Sequence, residues 1–251
     1  MKTMRCFLAF KLGLETAENI TEAQKRLKSK CASAGMTVRW VPPPNIHMTV
    51  LFLGEITEPM ATAIKDMLEP VIHGFETFDL TSVGMGAFPD VSNPKVIWAG
   101  LGAGAETCAA IHTAVQERLE STGFYFSNKP FTAHVTVGRV KAGPPGAPVS
   151  CFGDDVSQNF GTSTIRHLHC FQSDLSASGA EYTSLWALPL KKPSQKQTRP
   201  ITPERPASEP ETEGTPTPES AESQPFEESV DVPAAAEPSK ANLTDTMENS
   251  K

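Results

Sequence analysis

His47-Met48-Thr49-Val50 and, 87 residues further on, His134-Val135-Thr136-Val137 repeat one pattern inside apolar, β-branched runs. In a strand, residues i and i+2 share a face. Each segment therefore projects an imidazole and a hydroxyl from the same side of a sheet. Histidine is the side chain that most readily exchanges a proton near neutral pH. Two of them, each beside a hydroxyl donor, are what acid–base cleavage of a phosphodiester needs. One His-x-Thr among six histidines is an ordinary half-buried pair; two, both followed by Val, ask for a common explanation.

The flanking sequence gives each motif a similar setting. Residues 5–12 alternate as a strand, and Ile20, Ala23, Leu27 and Cys31 then recur at helical spacing. Lys25, Arg26, Lys28 and Lys30 fall on the other helix faces and read as a solvated surface. A short strand at 38–41 ends at Pro42-Pro43-Pro44, where a helix could not continue, and the first motif strand follows at 47–53. A helix is expected over 59–73, with Met60, Ile64, Met67, Leu68 and Val71 inward and Pro70 kinking or shortening it. Strands at 77–84 and 95–101 precede a third helix over 105–121, capped by Gly123. The second motif strand is 134–140; after a Gly/Pro loop at 142–148, strands are expected at 165–174 and 182–190. The order is strand, helix, strands, then strands, helix, strands. This is an α+β fold: a bilobal duplicated unit whose antiparallel sheets face a central cleft, so that the two His-Thr pairs converge.

Composition divides the chain in two. Residues 193–251 hold 5 Lys+Arg against 12 Asp+Glu, and residues 1–192 hold 17 of each. All the excess acidity lies in a Pro/Glu/Ser/Thr-rich tail that cannot bury enough apolar surface to offset its ordering entropy. The expected organisation is a folded domain over 1–192 and a disordered acidic tail over 193–251. The five cysteines, Cys6, Cys31, Cys108, Cys151 and Cys170, are odd in number and widely spaced, which argues against a disulfide framework and for a reducing compartment. The apolar run 6–10 stops at Lys11, too short for a secretory core or a membrane span. A cytoplasmic, non-membrane monomer is expected. The neutral charge of the folded part suits recognition of a nucleic-acid terminus better than a grip along a duplex, which needs many cations.

Longer stretches extend the pattern: Met4-Arg5-Cys6-Phe7-Leu8-Ala9, Val38-Arg39-Trp40-Val41-Pro42, Asn45 through Glu55, Gly84 through Pro89, Val96-Ile97-Trp98, Phe131 through Arg139, Ser173-Asp174-Leu175 and Gly179-Ala180-Glu181-Tyr182. In this order they resemble the two-histidine (2H) phosphoesterases, and among them the RNA 2′,3′-cyclic phosphodiesterases, also called the 2′-5′ RNA ligase family. Ala133 stands where that family usually has Pro, and Phe171-Gln172 where it has a tyrosine-containing pair. The resemblance implies metal-independent opening of a terminal RNA 2′,3′-cyclic phosphate to a 2′-phosphomonoester, with ligation forming 2′-5′ linkages as the reverse reaction. It implies His47 as general acid and His134 as general base; the near-symmetry of the motifs keeps the reversed assignment open. Thr49 and Thr136 would donate to the nonbridging phosphate oxygens. No cofactor and no metal are implied, and the partners would be RNA 3′ ends or cyclic nucleotides.

Other residues have weaker patterns. Arg139, three residues past Thr136, is a candidate contact for phosphate or base, or a solvated strand-end cation; Arg39 and Lys129, near the motif strands, are weaker phosphate-contact candidates. Phe52 could stack on a base, but it alternates away from His47 and reads as core; Trp40 and Trp98 also read as core. His167-x-His169 has two ligands at strand spacing but no third at fixed spacing, so metal binding is not the preferred reading; His73 and His112 read as surface or satisfied helix residues. Two other functions share the motifs: a 2H phosphoesterase acting on a small cyclic phosphate or a 2′-5′ oligonucleotide, and a non-catalytic RNA-end-binding module.

Overall fold

The computed structural model describes residues 2–126, 130–143, 157–176 and 179–193. Lys129, Cys151, most of the expected loop at 142–148 and the tail beyond Pro193 lie outside the described residues. Nine strands and three helices follow in the order β1 (Thr3–Lys11), α1 (Leu14–Ser33), β2 (Thr37–Trp40), β3 (His47–Thr57), α2 (Glu58–Ile72), β4 (Phe78–Phe88), β5 (Val96–Leu101), α3 (Ala105–Glu120), β6 (Val135–Ala142), β7 (Asn159–Ile165), β8 (His167–Ser176) and β9 (Gly179–Pro189). A single 3₁₀ turn, Pro43–Asn45, links β2 to β3.

Every strand pairing is antiparallel, in the order β7-β4-β5-β6-β3-β1-β8-β9, with β2 also on β6. The halves β7-β4-β5-β6-β2 and β3-β1-β8-β9 meet at one residue pair, Met48↔Val135. These are the central residues of the two His-x-Thr segments. Both are fully buried and point into the core. The flanking His47, Thr49, His134 and Thr136 therefore share the opposite face. The two expected antiparallel halves are present as parts of one continuous nine-stranded sheet, joined at the motifs.

Helix α1 lies on β2 and β7, whereas α2 and α3 pack on each other and on β3. The stripe Ile20, Ala23, Leu27 and Cys31 is buried, as its spacing requires. In α2 the buried stripe is Ala61, Ile64, Leu68 and Ile72, and Met60 is exposed. Pro70 sits inside α2 without ending it; it lies in the last turn, where little helix remains to be disturbed. Gly123 caps the chain after α3 at φ +94°, a conformation that favours glycine. The expected strand at 165–174 is the second of two: β7 precedes it on the sheet edge, paired only to β4. Its Asn-Phe-Gly-Thr-Ser-Thr-Ile sequence carries too few apolar residues to announce itself. Among the described residues no helix is long and apolar enough to cross a membrane.

Candidate active site

The two motifs hold their histidines identically. The Nδ1–H of His47 donates to the Asn45 carbonyl at 2.6 Å, and that of His134 to the Thr132 carbonyl at 2.7 Å. A carbonyl can only accept, so Nδ1 bears the hydrogen and Nε2 is left for proton transfer. On His47, Nε2 accepts from the Thr49 hydroxyl at 3.0 Å. Asn45 is itself anchored, its Nδ2 donating to the Ala180 carbonyl of β9 at 2.6 Å. An aromatic edge meets each imidazole: Tyr182 against His47 at 5.3 Å and Phe88 against His134 at 5.0 Å, both at 87°. Phe7 lies 4.9 Å from His47 and stacks 5.5 Å from Phe171. This cleft-side cluster of Phe7, Ala9, Phe171 and Tyr182 is separate from the main core.

Burial lowers the pKa of both histidines. Their carbonyl acceptors oppose the shift, and the nearby Arg139 charge adds to it. His47 also feels the charge of His134, which places the two imidazoles within electrostatic reach across the Met48–Val135 crossing.

A β-bulge follows each motif. Between β1 and β3, Ala9 faces Thr49 and Leu8 faces Leu51, leaving Val50 unmatched. Between β5 and β6, Trp98 faces Thr136 and Ile97 faces Gly138, leaving Val137 unmatched. The extra residue reverses the alternation beyond it. The fifth residue after each histidine, Phe52 and Arg139, is thereby carried to the cleft face. Phe52 pairs with Phe7 and is 57% exposed, correcting its reading as core. Arg139 owes its place beside both histidines to the second bulge. Gly138 is required there, because a Cβ would lie 2.8 Å from Val38 and 3.0 Å from the Trp40 ring.

Beside each bulge a helix side chain donates to a strand carbonyl; the Val137 carbonyl also accepts from the Val41 N–H at 2.9 Å. Gln24 of α1 donates to the Val137 carbonyl at 2.9 Å and to the Val41 carbonyl at 2.7 Å. His112 of α3 donates through Nδ1 to the Val50 carbonyl at 2.8 Å and stacks on Phe131 at 4.0 Å. His112 is thus a satisfied residue, as read from the sequence, with a definite task. Gln24→Leu should destabilise the fold by about 0.5–1.5 kcal/mol, the net contribution of a lost hydrogen bond, since the Val137 carbonyl keeps the Val41 N–H. Thermal denaturation would check it, and an unchanged Tm would remove Gln24 from this role.

Trp40 packs against the core as expected. Trp98 does not conform to its core reading. It pairs with Thr136 on the cleft face and lies over Gly86, where a Cβ would come within 2.4 Å of the indole. Only the cross-strand register reveals this. His167 and His169 have ring centres 6.0 Å apart, and among the described residues no group of three His, Cys, Asp or Glu is placed to hold a metal. The described cysteines, Cys6, Cys31, Cys108 and Cys170, are buried free thiols.

Residues 12–98 match the family described as LigT-like phosphoesterase. A protein of Archaeoglobus fulgidus named RNA 2′,3′-cyclic phosphodiesterase is 34% identical over 182 residues, covering 72% of this chain and 98% of its own length. Its namesake in Aquifex aeolicus is 30% identical, over 73% of this chain and 95% of its own. Among solved structures, TT0787 of Thermus thermophilus superposes with a TM-score of 0.63 at 26% identity, over 75% of this chain and 99% of that one. Escherichia coli LigT complexed with 3′-AMP gives 0.56 at 21% identity, over 76% of this chain and all of that one, a likeness of fold.

Proposed function

Because the chain belongs to the LigT-like phosphoesterase family, we propose that it hydrolyses the terminal 2′,3′-cyclic phosphate of RNA to a 2′-phosphomonoester. The observation that carries this reading is the placement of both His-x-Thr pairs on one cleft face about Met48↔Val135. A water attacks phosphorus, one histidine takes its proton, the P–O3′ bond breaks, and the other histidine protonates O3′. Thr49, Thr136 and Arg139 donate to the nonbridging oxygens, where charge builds in the transition state. Phe52 offers an exposed ring beside this site for the terminal base.

The resemblance assigns His47 as acid and His134 as base. The two motifs hold their imidazoles alike, each with its Nδ1–H on a backbone carbonyl, so the reversed order is equally compatible with the geometry. A substrate with sulfur at the 3′ bridging position separates them, since a thiolate departs without a proton. It should restore turnover to the alanine variant of whichever histidine is the acid.

The test of function is turnover of a short RNA ending in a 2′,3′-cyclic phosphate, with the product identified. Release of a 3′-phosphate, or binding without turnover, would replace this reading. Proton transfer by two imidazoles needs no Lewis acid, so activity should persist in excess chelator. Inactivation reversed by a divalent ion would instead point to His167 and His169. We place the protein in the cytoplasm as a monomer, supported by its cysteine usage and by RNA ends as substrate. The folded domain is assigned to 1–192, with 193–251 a disordered appendage whose composition supports its being dispensable. A protein ending at Lys192 should keep its Tm and turnover, and loss of either would move the boundary.

A further inference from the structure

Arg39 of β2 stands directly opposite Arg139 of β6. The bulge that turns Arg139 to the cleft sets Arg39 on the same face. Like charges directly across a ladder are destabilising, and neither guanidinium makes an ion pair among the described residues. Arg39 also approaches the β8–β9 hairpin, its Nη2 lying 3.6 Å from where a Cβ on Gly179 would stand. Arg5 projects from the cleft face of β1, two residues before Phe7; Glu55 faces it across the ladder without forming an ion pair. The charges of Arg139, Arg5 and Arg39 all act on the Tyr182 hydroxyl, and Tyr182 touches His47. Three cations thus surround Tyr182, and one of them, Arg139, also acts on both histidines. Arg139 accounts for one phosphate; Arg5 has Glu55 opposite it, whereas Arg39 faces only another cation.

We propose that Arg39, with Arg5 and the hydroxyl of Tyr182, forms a subsite for a second phosphate on the substrate, the 5′-phosphoryl of the terminal nucleotide. In an RNA chain this group is the last internal phosphodiester; in a free nucleotide it is a 5′-monophosphate. The inference rests on the cyclic-phosphodiesterase reading and narrows its substrate class. A nucleoside 2′,3′-cyclic phosphate lacking a 5′-phosphate fills half the site, and a chain end fills it all. Guanidinium suits the task because its planar fork meets phosphate in two parallel hydrogen bonds.

The experiment compares kcat/KM for three substrates: adenosine 2′,3′-cyclic phosphate, its 5′-phosphorylated form, and a dinucleotide ending in a 2′,3′-cyclic phosphate. The second and third should exceed the first by about tenfold or more, equivalent to about 1.4 kcal/mol. Arg39→Gln should collapse that ratio, and Arg39→Lys should retain part of it. The salt dependence of log kcat/KM for the dinucleotide should flatten by about 0.7 in Arg39→Gln, the slope of one lost single-strand phosphate contact. An advantage for the dinucleotide alone would assign the subsite to chain phosphodiesters; an advantage for both confirms the shared chemistry. Equal kcat/KM for all three substrates, or an Arg39→Gln variant that lowers all three by one factor, would overturn the proposal. Equilibrium binding of adenosine 2′-phosphate and adenosine 2′,5′-bisphosphate, with and without Arg39→Gln, reads the subsite without turnover. If no cyclic phosphate is hydrolysed but the bisphosphate still binds tenfold tighter through Arg39, the hydrolytic reading fails and the subsite stands.

Discussion

His47→Ala and His134→Ala are each expected to lower kcat by about 10²–10⁴-fold while the fold survives. Each imidazole offers Nε2 to the cleft from a ring fixed at Nδ1 by a backbone carbonyl, so each truncation removes one proton-transfer partner. Both pKa values lie below the ordinary imidazole range, first through burial and then through the Arg139 charge. One histidine must be protonated and the other neutral. The pH dependence of kcat/KM should therefore be bell-shaped, with limbs that belong to the coupled pair and an alkaline limb below the usual histidine value. Arg139→Gln removes a positive charge that disfavours imidazolium. Both pKa values should rise, and the alkaline limb should move to higher pH as kcat/KM falls. A flat profile, or near-normal turnover in His134→Ala, would dismiss the paired mechanism.

Thr49→Val and Thr136→Val should each cost about 10²–10³-fold in kcat, on the order of 2.7–4 kcal/mol, by analogy with the loss of one oxyanion donor. Valine keeps the branched shape that suits a strand and removes only the hydroxyl, so Tm should hold. The two sites need not respond alike. The Thr49 hydroxyl already donates to His47 Nε2. Its removal frees that nitrogen as well as depriving phosphate of a donor, and the pH profile of Thr49→Val should shift along with its rate. Steady-state rates and pH profiles of the two variants would show whether this asymmetry exists. Identical rates to the parent protein would exclude both hydroxyls from the transition state.

Much of the site was legible because its signal is local. A repeated His-x-Thr in a β-branched run states its own geometry through the two-residue period of a strand, and this put His47, Thr49, His134 and Thr136 on one face before any partner strand was known. The helices were legible where apolar spacing was strong, as with Ile20, Ala23, Leu27 and Cys31 in α1. Edge strand β7 was missed because pairing on only one side lets a strand be built from Asn, Gly, Ser and Thr.

The two-residue period misassigned Phe52 for a tertiary reason. A bulge is defined by two strands together, and neither Val50 nor Val137 differs in kind from its neighbours. The unmatched valines re-aim Phe52 and Arg139, and their carbonyls accept from Gln24 and His112 of distant helices. By itself the sequence determined the repeated His-x-Thr pattern, the α+β order and the compositional break near Lys192. The tertiary structure alone decided that Met48 meets Val135, that Trp98 lies beside Thr136, and that Arg39 confronts Arg139 across a ladder. Cross-strand register sets these meetings, and register depends on both strands at once.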